Sequence, residues 1–166
     1  MLRRVRNNLT VYATDRVFTT TILPNLDYCD FVWNNLAPSR YSTLERLQTR
    51  ATRIVLKDSN LTHHQLLCQL SWKSLNTHST IHHLTFVFKC LHNIASDLVK
   101  SYFNRSSHVY STRRNGLDIL IPKVRTETAK KGTFHTGAQA FNNLPPHLKE
   151  VDSIVIFKTL LNDIIF

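Results

Sequence analysis

The sequence predicts a mainly α-helical protein, in which a helical lobe over residues 1–100 precedes a smaller mixed lobe over residues 101–166. Apolar residues recur at helical spacing through most of residues 42–95, which is the pattern of helices that bury one face. Turn-forming and β-prone residues are concentrated between residues 104 and 135, and helical spacing returns after Ser153. The mixed lobe is therefore expected to hold a short β-hairpin and a C-terminal helix.

Composition points towards an anionic partner. The chain has 166 residues, with 21 Lys and Arg against 11 Asp and Glu, and a formal charge of +10. Such a charge favours nucleic acid or another anionic surface as partner, while a solvated surface on a basic protein is the alternative interpretation. No apolar run approaches the roughly 20 residues of a membrane-spanning helix, so no membrane partner is predicted. An intracellular location, nuclear or cytoplasmic, is expected.

The first segment is expected to be helical over residues 1–21, with Arg3, Arg4 and Arg6 near its start. Its basic beginning also fits an Arg-rich mitochondrial presequence, although the helical pattern continues past it. Pro24 suits the first turn of a second helix. That helix would carry a dense apolar block on residues 26–33, with Leu26, Cys29 and Trp33 on one side, followed by a loop over residues 34–39.

A two-faced helix is predicted from Ser42 to about Lys57. Ser42 and Glu45 have the spacing of a capping box, which satisfies free N–H groups of the first turn. The predicted apolar face consists of Leu44, Leu47, Ala51, Ile54 and Val55. The opposite side carries four cations at i, i+4, i+7 and i+11, here called the basic ridge: Arg46, Arg50, Arg53 and Lys57. Like charges at this spacing destabilise an isolated helix slightly, so the basic ridge suggests an anionic ligand.

Two further helices complete the first lobe. Thr62 is placed to cap a short helix that carries Leu66, Leu67 and Leu70. A longer helix is expected from about Leu75 to Ala95. Between them lies Trp72, which is interpreted, like Trp33, as a core anchor and not as a platform for stacking bases.

The second lobe begins with a basic loop that contains Arg113, Arg114, Lys130 and Lys131. The pair Asn115-Gly116 is a strong turn signal, and the run Leu117–Ile121 is β-prone, which together predict a short hairpin. A second strand is expected at Thr133–His135, followed by a helical turn over residues 137–141. Ser153 is placed to cap the last amphipathic helix.

No catalytic centre or cofactor site is predicted. Asp27 and Asp30 lie at i, i+3 without a third acid, and His78 and His82 lie at i, i+4 without a CxxC or HExxH motif or a nearby acidic ligand. The chain is therefore not expected to be an enzyme or to hold a metal. The cysteines are interpreted as buried thiols in a reducing compartment; they are Cys29, Cys68 and Cys90.

Four motifs, in order, resemble the region after the catalytic domain in reverse transcriptases of non-LTR retrotransposons, the Jockey-like and related LINE elements. These RNA-directed DNA polymerases typically show P-x-L-x-Y-x-x-x-x-W, L-E-x-x-Q-x-x-A-x-R, L-x-W-x-S-L and W-N-x-L-P. The matching residues are Pro24, Leu26, Tyr28 and Trp33; Leu44, Glu45, Gln48, Ala51 and Arg53; Leu70, Trp72, Ser74 and Leu75; and Asn142 to Pro145. Phe141 replaces the usual Trp, and Asn76-Thr77-His78 replaces a common arginine pair.

The resemblance implies a non-catalytic C-terminal segment that binds nucleic acid without sequence preference. Residues 1–57 would be a helical, thumb-like element that grips the template–primer duplex, and residues 61–166 an extension. The family's catalytic aspartates have no counterpart among these motifs. The cations expected to contact an RNA or DNA backbone are Arg3, Arg4, Arg6, Arg46, Arg50, Arg53, Lys57, Arg113, Arg114, Lys130 and Lys131. Three alternatives remain: an interaction module that self-associates or docks on a polymerase domain, a pseudogene product without selected function, and, least favoured, a zinc-dependent enzyme.

Overall fold

The computed structural model describes residues 2–28, 30, 38–58, 60–105 and 117–165. Its secondary structure is mainly helical, which confirms the predicted class. The chain forms two compact units, Met1–Ser79 and Thr80–Phe166. The boundary predicted from the sequence lies about twenty residues later. The observed division falls inside a helix, because the apolar residues that follow Thr80 belong to the core of the second unit. No described helix has both the length and the apolar character needed to cross a membrane.

The first unit consists of short N-terminal helices, one long helix and the helices that follow it. In order they are α1 Leu2–Val5, a 3-10 turn Arg6–Asn8, α2 Val11–Val17, a π-helical turn Phe18–Ile22, α3 Leu23–Asp27, α4 Pro38–Leu56, α5 His63–Leu70 and α6 Leu75–Leu91, which extends into the second unit.

The N-terminal segment is helical but interrupted. Thr10 caps α2, with its side chain accepting a hydrogen bond from the Ala13 N–H at 3.2 Å, so a single helix over residues 1–21 does not form. The helix then widens into the π-helical turn, where Thr20 donates its hydroxyl to the Arg16 carbonyl at 2.7 Å. Hydroxyls that bond to carbonyls of the preceding turn compete with the backbone ladder, and Pro24 supplies no N–H to that ladder.

Helix α4 begins at Pro38 and not at Ser42, because proline is favoured at the first helical position. It ends at Leu56, close to the predicted end. Its buried stripe is rotated from the predicted one: Gln48, Ala51, Thr52 and Val55 are buried, whereas Leu47 is 51% exposed. The Gln48 amide is accommodated there because it donates to the Lys73 carbonyl at 2.8 Å.

The core of the first unit is centred on Phe18, Ala51 and Val55. Trp72 packs against it, with its ring stacked on Phe18 at a centroid distance of 4.2 Å. Its indole N–H donates to the Asp15 carboxylate at 2.8 Å, so the polar end of the ring is satisfied. Trp72 therefore acts as the core anchor that the sequence predicted, whereas Trp33 lies outside the described residues.

Helices α5 and α6 confirm the sequence analysis. Thr62 and Gln65 form the capping box of α5, and Leu66 and Leu67 are buried. Helix α6 ends at Leu91, four residues before the predicted end. Asn93 has a φ of 59°, and the Ile94 N–H bonds to the Lys89 carbonyl at 2.9 Å, which is how a left-handed residue closes a helix.

The second unit contains α7 Asp97–Lys100, α8 Glu127–Lys130, α9 Thr133–Asn142, α10 Pro146–Lys149 and α11 Ile154–Ile165. Its core joins the second half of α6 to α9, α10 and α11. Phe88 of α6 stacks on Phe157 of α11 at 4.3 Å, and both rings are buried. The predicted helix after Ser153 is therefore confirmed.

The predicted strands are not found in the described part of this unit. Thr133–His135 forms the start of α9, because Gly132 caps a helix there. Residues 117–121 form no strand and make only an isolated antiparallel bridge, between Arg105 and Ile119. The Asn142 side chain replaces a partner strand: it accepts from the Ile119 N–H and donates to the Ile119 carbonyl, both at 2.8 Å. The Asn115-Gly116 turn lies outside the described residues.

Candidate nucleic-acid interface

Cationic side chains from two distant segments of the first unit surround one cavity, here called the basic cleft. Its volume is about 300 Å³, and its lining residues are Arg3, Arg6, Arg50, Arg53, Ile54, Lys57 and Asp58. Guanidinium groups present planar forks of N–H donors that match phosphate oxygens. The basic cleft is thus suited to bind an anionic oxygen ligand.

Both walls of the basic cleft follow from local structure. Helix α1 packs against α4, which brings Arg3 and Arg6 to the C-terminal end of the long helix. Arg50 and Arg53 lie at i, i+3 and are exposed on one side of α4. Lys57 follows the last residue of α4 and has a φ of 59°, so the chain turns sharply at the edge of the cavity.

The charge of the basic cleft is largely uncompensated. Asp58 is the one carboxylate in the lining, and its Oδ1 accepts a hydrogen bond from the Asn60 N–H at 2.8 Å. Within the described part of the chain, none of the five cations forms an ion pair. The Arg6 Nε is also buried without a hydrogen-bond acceptor there. Repulsion among these cations favours an anion in the cavity.

The basic ridge does not act as one surface. Arg50, Arg53 and Lys57 line the basic cleft, but Arg46 does not. The Arg46 side chain folds back on its own helix, with Nε donating to the Ser42 carbonyl at 3.3 Å and Nη2 to the Thr43 hydroxyl at 3.4 Å. Arg4 is exposed and also lies outside the lining.

The predicted cations of the second unit are arranged differently. Lys130 forms an exposed ion pair with Glu127, with an N–O distance of 2.6 Å, while Lys131 is exposed at the end of α8. Arg113 and Arg114 lie outside the described residues. Neither Lys130 nor Lys131 lines the basic cleft.

One carboxylate–imidazole pair escaped the sequence analysis. His78 Nδ1 lies 3.6 Å from Asp27 Oδ2, although no acid was expected near the histidine pair of α6. The two residues are 51 positions apart, so no spacing in the sequence indicated the contact. His82 follows one turn later on α6.

The described cysteines differ from each other. Cys90 is buried as expected, and burial raises the pKa of its thiol, against a smaller lowering by Lys100. Cys68 is exposed, so the expectation of burial was wrong for it: it lies on the outer face of α5, with Sγ 3.6 Å from His64 Nδ1. Cys29 lies outside the described residues.

Comparisons with protein-family models, with curated proteins and with solved structures gave no match.

Proposed function

We propose that this protein binds the phosphate backbone of nucleic acid through the basic cleft and does so without catalysis. The observation that carries the proposal is the convergence of five cationic side chains around one cavity, from segments more than forty residues apart, without ion-pair partners in the described chain. Contacts of Lys and Arg to phosphate release counterions and provide affinity without reading bases. Binding should therefore tolerate RNA, DNA and hybrid duplexes.

The proposed setting is the C-terminal segment of a non-LTR retrotransposon reverse transcriptase. The order of the four motifs supports it, and so does the helical character of the first unit. In this setting residues 1–57 form a thumb-like element that holds the template–primer duplex, and the basic cleft lies on that element. The polymerase reaction is not assigned to this chain.

Two paired variants test the proposal. The double variant Arg50→Ala/Arg53→Ala removes two cleft cations, and the control Arg4→Ala/Arg46→Ala removes two cations that do not line the cavity. Fluorescence anisotropy with labelled RNA, DNA and hybrid duplexes at low salt should show at least about tenfold weaker binding for the cleft variant, because each lost charge-assisted contact contributes roughly 1 kcal/mol or more. The control should remain within about threefold.

A cleft variant that bound all three duplexes as tightly as the wild-type chain would refute the proposal. Circular dichroism of both variants excludes unfolding as the cause of a loss. Arg53→Glu serves as a stronger form of the test, since it places a negative charge at the same position and should weaken binding further.

A second candidate function, self-association or docking on another protein, is favoured by apolar side chains that the second unit exposes. Leu98 is 80% exposed, Val155 69% and Ile156 54%. Val155 and Ile156 are neighbours on α11, and exposed apolar surface is typical of interaction sites. Light scattering after size exclusion distinguishes the two, since a concentration-independent monomer argues against self-association.

A further inference from the structure

We propose that the basic cleft takes a terminal phosphate of a nucleic-acid strand, a phosphate monoester, in preference to the diester phosphates inside the strand. The inference rests on the proposed function and assigns a ligand group to the same site. It follows from the small size of the cavity, the concentration of charge around it and one buried donor.

The cavity is small and largely open to solvent. Its volume of about 300 Å³ lies at the lower end of the range for small-molecule sites, roughly 300 to 1,000 Å³. The lining brings Arg3 and Arg6 of one segment together with Arg50 and Arg53 of another, and a space of this size accommodates one phosphate group.

The charge around the cavity matches a monoester better than a diester. An internal phosphate carries one negative charge, whereas a monoester carries about 1.5 to 2 at neutral pH and offers three terminal acceptor oxygens. Five cations around one cavity attract a ligand most strongly when its negative charge is concentrated at one point. Cations that are spread along a surface, as in the predicted basic ridge, are attracted equally by each of the successive diester phosphates of a strand.

Arg6 provides the third argument. Its Nε is buried and has no hydrogen-bond acceptor among the described residues, although native proteins rarely leave a buried donor unsatisfied. Because water does not reach this atom, a ligand oxygen would supply the acceptor only after the Arg6 side chain had turned towards the cavity. A phosphate bound at the protein surface, outside the cavity, would not contact this buried group.

The Asp58 carboxylate repels an anionic ligand, so its replacement is a sensitive test of the inference. Its carboxylate lines the cavity, and one oxygen is held by the Asn60 N–H. Asp58→Asn retains an oxygen for that hydrogen bond and removes one negative charge. Binding of a monoester should tighten by about threefold to tenfold, and binding of a strand with hydroxyl ends should change less.

The direct experiment compares single strands of one sequence that carry a 5′-phosphate, a 3′-phosphate or hydroxyls at both ends. At constant salt, at least one phosphorylated strand should bind the full-length protein five times or more as tightly as the hydroxyl strand, and the two phosphorylated strands show which end is taken. Arg53→Ala should abolish this preference, whereas Arg46→Ala should retain it. A nucleoside 5′-monophosphate should raise the melting temperature of the wild-type chain more than the nucleoside does.

Equal affinity for all three strands would overturn the inference. If Arg50→Ala/Arg53→Ala nevertheless weakened the binding of those strands, the proposed function would stand and only the preference for a terminal phosphate would be refuted. If no strand bound the wild-type chain at low salt, the proposed function and the inference would both fall.

Discussion

Lys57 is the first residue beyond α4 and has a φ of 59°, a left-handed conformation in which glycine is usual at a helix end. A side chain in this conformation is strained by roughly 1 to 2 kcal/mol. The same residue contributes a cation to the basic cleft. If the proposed function holds, binding of phosphate by the ammonium group explains why a lysine, and not a glycine, occupies this strained position.

Replacing Lys57 separates the two roles. Lys57→Gly should raise the free energy of unfolding by about 1 kcal/mol, because glycine adopts this conformation without strain, and should weaken nucleic-acid binding. Lys57→Ala should weaken binding to the same extent without the gain in stability. Urea unfolding and fluorescence anisotropy measure the two effects. Equal stability of the glycine and alanine variants would show that the backbone conformation is not strained.

His92 is predicted to make stability depend on pH. Its ring stacks on Phe88 at 4.0 Å, and its Nε2 is buried without a hydrogen-bond partner in the described chain. Burial lowers the pKa of His92, nearby Arg105 lowers it further, and Asp152 partly opposes them. Below the ordinary value of about 6.5 the unfolded chain therefore binds more protons than the folded one. The stability that neutral His92 provides should be present above that pH and lost as the pH falls towards the folded-state pKa.

Melting curves of the wild-type chain and of His92→Gln, recorded from about pH 7.5 to about pH 5, isolate this contribution. The wild-type chain should lose stability more steeply than the variant as the pH falls, while the other eight histidines affect both proteins alike. Parallel curves would show that His92 titrates equally in the folded and unfolded chains.

Single residues explain where sequence reasoning failed at this scale. Leu47 fits an apolar stripe, yet Gln48 occupies the buried position, where its side-chain N–H donates to the Lys73 carbonyl, 25 residues away. Hydropathy alone ranks leucine above glutamine. Glutamine is buried in place of leucine only because a distant acceptor is present, and no local sequence pattern reveals that acceptor.

Helices α6 and α9 approach closely at Gly137. A Cβ at this position would lie 2.9 Å from Val87 Cγ2 and 3.1 Å from His83 Nε2. His83 cannot easily move away, because its Nε2 is hydrogen-bonded to the Thr133 carbonyl at 2.9 Å. Glycine is therefore required by the packing of two helices and not by its own backbone conformation.

Gly137→Ala should destabilise the protein by up to about 2 kcal/mol, although alanine favours helix by about 1 kcal/mol, because overpacking costs roughly 1 to 3 kcal/mol. Chemical denaturation measures the effect. Combined with Val87→Ala, which removes the closest atom, the substitution should be less harmful than the sum of the two single changes. A single Gly137→Ala variant as stable as the wild-type chain would show that the helices separate without cost.

Elements with strong helical periodicity and clear caps were predictable from sequence. Thr62 opens α5 and Ser153 precedes α11, as their positions indicated. The short segment Thr133–His135 was predicted as a strand, but β-branched and aromatic residues in a run this short do not distinguish the two structures. The extended segment around Ile119 has no partner strand in the described residues, since Asn142 provides its hydrogen bonds from a helix.

At the scale of the whole molecule, each compact unit has its own core, and the basic cleft belongs entirely to the first. Sequence spacing identified Arg50, Arg53 and Lys57 as one face. It also named Arg3 and Arg6, but their approach to α4 depends on tertiary packing that no local pattern encodes. Spacing also placed Arg46 on this face, but its side chain bonds to Ser42 and Thr43 of its own helix and does not line the cavity.

The central claim is that cations of the basic cleft contact phosphates, and the salt dependence of binding tests it most directly. The logarithm of the association constant for duplex DNA should fall linearly with the logarithm of salt concentration, with a slope of about 0.9 for each phosphate contacted. In Arg50→Ala/Arg53→Ala the slope should decrease by about 2, since two contacts are lost. In Arg4→Ala/Arg46→Ala, which has the same net charge, the slope should equal that of the wild-type chain. Equal slopes for the wild-type chain and the cleft variant would contradict the account.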